Sequence, residues 1–217
     1  MGDYAVIGLG RFGSSVAHEL TSLGHTVLAI DKNEQAVAHV ATHVARAVQI
    51  DATDPEALRQ VGITNFETVI VAIGVDTQES ILTTLILKEL KVPRVVAKAV
   101  NELQAKVLER VGADLVVRPE RDMGIRLAHM LGSANVLDYL ELTPEIGVEE
   151  VRVPEKLSGQ TLRNLALRTR FGVSVLLIRR GADLIISPGA DTSLRVGDVL
   201  IVVGPNRQLT RLEELLR

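Results

Sequence analysis

Gly8, Gly10 and Gly13, with Arg11 and Phe12 between them, follow the apolar run Ala5-Val6-Ile7 and are spaced to receive a phosphate. Gly8 permits a tight turn, and Gly10 lets the backbone come close to an anion. Gly13 lets the following helix pack against the strand, so that its N-terminal N–H groups point at the charge. A second apolar run, Val27-Leu28-Ala29-Ile30, closes in Asp31, whose carboxylate can accept hydrogen bonds from ribose hydroxyls. A glycine fingerprint alone is common. Strand, glycine turn, helix, strand and acid in that order predict a nucleotide site. A guanidinium at Arg11 could clamp terminal phosphates through paired hydrogen bonds, which would favour ATP or ADP over NAD; the plain alternative is a solvated loop arginine.

Further candidates fall where strands should end. Lys32 follows Asp31 and would either lie along an adenosine or be solvated; Asp31 itself could instead cap the next helix. Asp51, Ala52 and Thr53 close a third apolar run, and Ala72, Ile73 and Gly74 a fourth, so their backbone and small side chains could wall an adenine. Asp51 could equally cap its own turn. Lys98 follows Val95-Val96-Ala97 and could neutralise phosphate charge; as a catalytic lysine it lacks acid–base partners. Glu120 opens a helix, where an acid complements the N-terminus whatever else it does. His39 and His43 have one-turn spacing, but no third ligand accompanies them, and they read as surface histidines.

These positions need a scaffold that brings strand ends together. Short, continuously apolar runs rich in Val and Ile recur at 5–7, 26–30, 47–50, 68–73, 94–97 and 114–117, as expected of parallel strands buried on both faces. Helical segments at 13–23, 33–41, 55–61, 77–90 and 102–111 separate them. Gly24 stops the first helix, Asp54-Pro55 caps and opens the third, and Asn101 and Thr77 can cap theirs. The reading is an α/β, Rossmann-like doubly wound parallel sheet. After Val117 the rhythm changes. A helix at 120–131 is broken by Gly132-Ser133, and 134–140 is a short amphipathic piece. A small α+β unit follows, with strands near 148–153, 173–179, 183–187 and 198–203 and helices near 161–167 and 206–216. Ser187-Pro188-Gly189 and Gly197-Asp198 read as turns. The domains are placed at 1–135 and 136–217; all five histidines then fall in the first.

Composition excludes several classes. Among 217 residues 47% are apolar but only 2% aromatic, without Trp, so the core is Val, Ile, Leu and Ala. A net charge of −3 and a pI near 6.0 speak against a nucleic-acid binder. Cysteine is absent, which removes disulfides and thiolate chemistry and suits a reducing cytoplasm. No apolar run approaches a membrane span, so action at a membrane would go through a partner. GxxxxGK[ST] and GxSxG are both missing, as is a Ser/His/Asp set; the site reads as built to bind without turnover.

Residues 5–13, 66–74, Gly112-Ala113-Asp114, Pro119-Glu120-Arg121-Asp122-Met123-Gly124, 159–165, 168–173 and 194–204 together resemble the KtrA/TrkA-type regulatory subunits of bacterial potassium uptake systems. These consist of an RCK N-domain and an RCK C-domain, and the resemblance covers nearly the whole chain. It implies a cytoplasmic protein at the inner face of the membrane, forming homodimers that assemble into a ring, an octamer, beneath a membrane potassium transporter. ATP and ADP would favour different ring geometries. It implies phosphate contact by Arg11 and places Glu120 near the nucleotide phosphates, holding Mg²⁺ or Ca²⁺. Cyclic di-AMP could bind the C-domain, with Arg168 and the apolar residues around Ile178 and Pro188 as lining or else as ordinary interface packing. The competing reading is a small NAD(P)-dependent oxidoreductase, which the fingerprint and Asp31 fit equally well. It would have to place its acid–base groups on about 80 residues without His, Cys or Trp.

Overall fold

The computed structural model describes residues 2–216 and divides into two compact units, residues up to Pro119 and residues from Glu120 onward. The first unit runs β1 (Asp3–Ile7), α1 (Arg11–Ser22), β2 (Thr26–Asp31), α2 (Glu34–Val40), β3 (Arg46–Gln49), α3 (Pro55–Gln60), β4 (Thr68–Val71), α4 (Thr77–Glu89), β5 (Arg94–Lys98), α5 (Glu102–Val111) and β6 (Leu115–Val117). Its six strands are parallel, in the order β3-β2-β1-β4-β5-β6. Sequence order therefore reverses between β1 and β4, and the crevice at that switch point is where open α/β sheets bind ligands.

Alternate residues of each strand feed two separate cores. Ala5, Ile7, Leu28, Ile30, Val69 and Val71 pack with Leu58, Ile86, Leu87 and Leu108, under α3, α4 and α5. Val6, Val27, Ala29 and Ile70 pack with Ala17 and Val40, under α1 and α2. The continuous apolar runs thus reflect burial on both faces. A fully buried leucine such as Leu87 contributes about 2–3 kcal/mol by removal from water. Asn33, Asp54 and Asn101 cap α2, α3 and α5 by accepting N–H groups of the first turn. The cap of α4 is Asp76, which accepts the Glu79 N–H at 2.9 Å, rather than Thr77, the first residue of the helix.

The second unit contains the body of α6 (Pro119–Gly132), then β7 (Val136–Glu141), β8 (Ile146–Arg152), α7 (Leu162–Leu165), α8 (Leu167–Phe171), β9 (Ser174–Arg180), β10 (Asp183–Ile186), β11 (Val199–Pro205) and α9 (Asn206–Leu216). The strands form an antiparallel sheet ordered β10-β9-β11-β8-β7. The amphipathic piece at 134–140 is a strand, because Val136 and Tyr139 turn inward against β8. Residues 120–135, placed with the first domain on sequence, pack with this unit, and His129 goes with them. α6 buries none of its residues, yet Arg126 binds the Asp138 carboxylate through two hydrogen bonds of 2.5 Å, and the His129 ring stacks on Tyr139 at 3.8 Å. The Arg126 hydrogen bonds hold the Asp138 carboxyl below the usual range, against the effect of its partial burial.

Candidate functional site

The glycine loop adopts the shape its spacing predicts. Gly8 has φ +93°, and a Cβ there would lie 2.8 Å from the Ile73 backbone nitrogen. A Cβ on Gly13 would lie 1.9 Å from the Gly8 carbonyl oxygen. Both glycines are required by the fold itself. Gly10 differs: it is the N-cap of α1, has φ −69°, and a Cβ on it would meet nothing within 4 Å. The open space beside it is where an approaching phosphate would sit, above the first N–H groups of α1.

Beside this loop a cavity of about 370 Å³ opens at the carboxyl ends of β1, β2 and β4. Its wall brings together Gly8, Gly10, Asp31, Lys32, Ala52, Ala72, Ile73 and Gly74, eight positions picked from the sequence. Ile7, Ile50, Val75, Asp76 and Glu79 complete it. One flank is thus apolar, formed by Ile7, Ile50, Ala52 and Ala72, and the other carries carboxylates and an ammonium. Such a surface suits a ligand with a flat base at one end and polar groups at the other.

Asp31 is held by the backbone. The Leu9 N–H donates to its Oδ2 at 2.6 Å and the Asn33 N–H to its Oδ1 at 2.8 Å. The cap of α2 is Asn33, so Asp31 is not that cap. Its carboxylate ties the end of β2 to the glycine loop and still faces the cavity. Lys32 pairs with Glu79 at 2.6 Å, across the mouth from β2 to the first turn of α4, and this partner raises the lysine's pKa. Asp51 accepts from the Thr53 hydroxyl at 2.6 Å and from the Thr53 N–H at 2.8 Å, which lowers its pKa. It closes its own turn. Asp51 and Thr53 line an adjoining depression of about 300 Å³ with Lys32, Asp76 and Glu79.

Lys98 is buried at the end of β5, its Nζ 5.6 Å from the Phe12 ring centroid and close behind Gly74. Phe12 is half-buried, and Arg11 is exposed at the start of α1, outside the cavity wall. Glu120 is exposed in the first turn of α6 and belongs to the second unit. Asp76 and Glu79 were missed on sequence. Their signal was present, since an aspartate directly before a helix that follows a strand marks a cap at the carboxyl edge of the sheet.

His39 and His43 share a shallow depression with His18, whose ring lies 5.5 Å from that of His43. In the second unit Ile178 is fully buried in the core. Asp198 is almost completely buried and receives Arg180 through two hydrogen bonds, of 2.9 and 2.7 Å, as well as the Arg195 N–H at 2.9 Å. Burial pushes its carboxyl up, but these bonds outweigh burial and hold it below the usual range. The turn at Gly197-Asp198 is accordingly a structural clasp.

The TrkA-N domain family matches residues 4–119, and the TrkA-C domain family matches residues 148–217. Ktr system potassium uptake protein A of Bacillus subtilis (strain 168) is 42% identical over 211 residues, covering 97% of this chain and 95% of the relative. Ktr system potassium uptake protein C of the same organism is 45% identical over 212 residues, 98% of this chain and 96% of the relative. Among solved structures, the GsuK channel bound to NAD is 29% identical with a TM-score of 0.55, covering all of this chain and 38% of the channel chain. GsuK bound to ADP is 33% identical over 60% of this chain and 33% of that one, with a TM-score of 0.51. The chain therefore spans well under half the length of those channel subunits. No helix among the described residues is long and apolar enough to cross a membrane. The chain, a Rossmann-like TrkA-N domain followed by a TrkA-C domain, belongs to the Ktr/Trk family of potassium uptake regulatory proteins.

Proposed function

We propose that this chain is a nucleotide-sensing regulatory subunit of a membrane potassium transporter, acting by binding rather than by catalysis. The observation that carries this reading is the cavity at the β1/β4 switch point, with open space beside Gly10 and the Asp31 carboxylate in its wall. The residues fit an adenine nucleotide. Ile7, Ile50, Ala52 and Ala72 offer an apolar flank for the base, and Asp31 offers acceptor lone pairs for ribose hydroxyls. Gly10 and the N-terminus of α1 offer N–H groups for phosphate, with Arg11 at the same end. A nucleotide held there supplies negative charge at the α1 terminus and mass that fills the crevice.

GsuK is bound to NAD in one solved structure and to ADP in another, which supports an adenine nucleotide without choosing among ATP, ADP and NAD(H). Arg11 favours a ligand with terminal phosphates. Glu120 would supply an oxygen ligand to Mg²⁺ or Ca²⁺ accompanying ATP. Homodimers assembled into a ring, an octamer in the fullest form of this proposal, would dock from the cytoplasm under the transporter. The nucleotide moves the ring only by its difference in affinity for the two ring shapes.

Calorimetric titration with ATP, ADP, NAD⁺ and NADH, with and without Mg²⁺, tests this reading. Tight ATP and ADP binding, with Mg²⁺ favouring ATP, is the expected result. Preference for NADH without a divalent effect would overturn the choice of ATP and ADP as ligands, and only hydride transfer from that NADH to a substrate would favour the oxidoreductase reading.

A further inference from the structure

Strand β8 carries a carboxylate on the wrong face. Gly147, Glu149 and Val151 point inward in turn, so Glu149 lies in the interior of the second unit, fully buried. Neither of its oxygens accepts a hydrogen bond from a donor among the described residues. Glu213 of α9, also buried, faces it, and two carboxyl groups can hydrogen-bond only if one carries a proton. The third neighbour is His129 of α6, whose Nδ1 is 3.8 Å from Glu149 Oε1. One donor atom from each of these three residues lies within 4.8 Å of the other two.

Leaving a buried carboxylate such as that of Glu149 without a partner is costly, and buried charges are normally paired or bound to metal. Burial, and then the facing Glu213, push the Glu149 carboxyl up to about 8. An imidazole nitrogen with two carboxylate oxygens is also a ligand set for borderline divalent ions such as Zn²⁺, Co²⁺ or Mn²⁺. A divalent cation would give the buried Glu149 oxygens the partner they lack. Bonds of about 2.0–2.2 Å to a tetrahedral centre set donor atoms roughly 3.3 Å apart, so side-chain rotations that draw the three inward complete the site. The location gives such a site a role, because α6 buries no residue of its own and touches β7 through the side chains of Arg126 and His129.

We propose that His129, Glu149 and Glu213 form a divalent transition-metal site that pins α6 and α9 to β8. This site is separate from the one proposed at Glu120, which accompanies the nucleotide.

The chain reports on it directly. It has no Trp and two tyrosines, and Tyr139 stacks on the ring of His129. In a Tyr4→Phe background the remaining emitter is Tyr139. The chelator-stripped, nucleotide-free full chain is titrated with CoCl₂ and then with ZnSO₄. Co²⁺ should quench Tyr139 emission, and Zn²⁺ should reverse the quenching by displacement. Glu149→Gln, nearly isosteric and free of the opposed charge, should fold and lose at least about a hundredfold in Co²⁺ affinity. Glu213→Gln and His129→Ala should do the same. Metal should raise the Tm of the parent chain by at least about 5 °C at a hundredfold excess over Kd, and should leave that of Glu149→Gln unmoved. Absence of quenching, or quenching that survives in Glu149→Gln and His129→Ala, would overturn the site. A Tm insensitive to metal in the parent, but raised by Glu149→Gln, would assign the pair to a shared proton instead. Loss of nucleotide binding would bear on the first unit alone.

Discussion

Gly10 and Gly13 are three residues apart in one loop, and alanine should separate their roles. At Gly13 the added Cβ would sit 1.9 Å from the Gly8 carbonyl oxygen and 3.1 Å from the Ala72 Cβ. Backbone cannot yield as a side-chain tip can, so α1 must move off the sheet. Overpacking of a tight core costs about 1–3 kcal/mol even where side chains relax, and a collision with a carbonyl at this distance should reach or exceed the top of that range. At Gly10 the same methyl meets nothing within 4 Å, and φ −69° suits any residue. Reduced chain entropy in the unfolded state favours alanine by about 0.4–1 kcal/mol, and its poorer N-capping offsets a similar amount. The Tm of Gly10→Ala should thus stay within a few degrees of the parent. Its nucleotide affinity should not. Losing one charge-assisted hydrogen bond from backbone to phosphate, about 1.5–3 kcal/mol, corresponds to roughly 10- to 150-fold. Thermal melting and calorimetry with ADP on both variants give the result. Parent-like ADP binding by Gly10→Ala would refute the placement of phosphate over the loop. A parent-like Tm for Gly13→Ala would refute the close-packing account of the third glycine.

Arg11→Ala should weaken ATP by tenfold or more and adenosine hardly at all, as read by calorimetry; equal losses would show that Arg11 does not touch the terminal phosphates. Glu120→Gln should remove the Mg²⁺ dependence of ATP binding and spare ADP, and an unchanged Mg²⁺ response would move that metal elsewhere. Asp198→Asn breaks a buried pair with Arg180 and should cost about 3–5 kcal/mol by urea melting. The pH dependence has a definite sign. The folded-state pKa of Asp198 lies below its unfolded value, near 3.9, so its contribution is complete above that value and disappears as pH falls through the folded pKa. Asp198→Asn should flatten that part of the acid limb, and an unchanged limb would mean that other carboxylates set it.

The first unit was legible in the sequence because its signals are local. Continuous Val- and Ile-rich runs mark strands buried on both faces, and the glycine spacing encodes a turn whose sterics involve neighbours such as Gly8 and Gly13. Asp31 was found for the same reason, at the end of an apolar run. Asp76 and Glu79 were not found, because what places them at the cavity is the packing of α4 across the sheet, and an N-cap looks alike wherever its helix begins. Glu149 was hidden more thoroughly. In Val148-Glu149-Glu150-Val151 the alternation breaks, and either glutamate could face inward; the register with β11, where Glu149 pairs with Val202, settles which one does. The short piece at 134–140 is ambiguous between helix and strand at its length, and pairing with β8 decides it.

On the proposed reading, Asp31 separates the rigid from the movable parts of the site. Its two oxygens already hold the Leu9 and Asn33 N–H groups, so the glycine loop and the end of β2 are fixed together before any ligand arrives. A ligand that meets only such preorganised groups binds both states of a two-state assembly alike and shifts nothing. Differential affinity must come from groups that can rearrange. Lys32 and Glu79 are placed for that: their bridge spans the cavity mouth between β2 and α4, and Lys32 is largely in water, where an ion pair contributes little and opens readily. Redirecting Lys32 toward a bound phosphate would release Glu79 and the first turn of α4. If that exchange favoured one arrangement tenfold at each site, it would supply about 1.4 kcal/mol per site. Several equivalent sites acting on one ring would then switch it without hydrolysing anything.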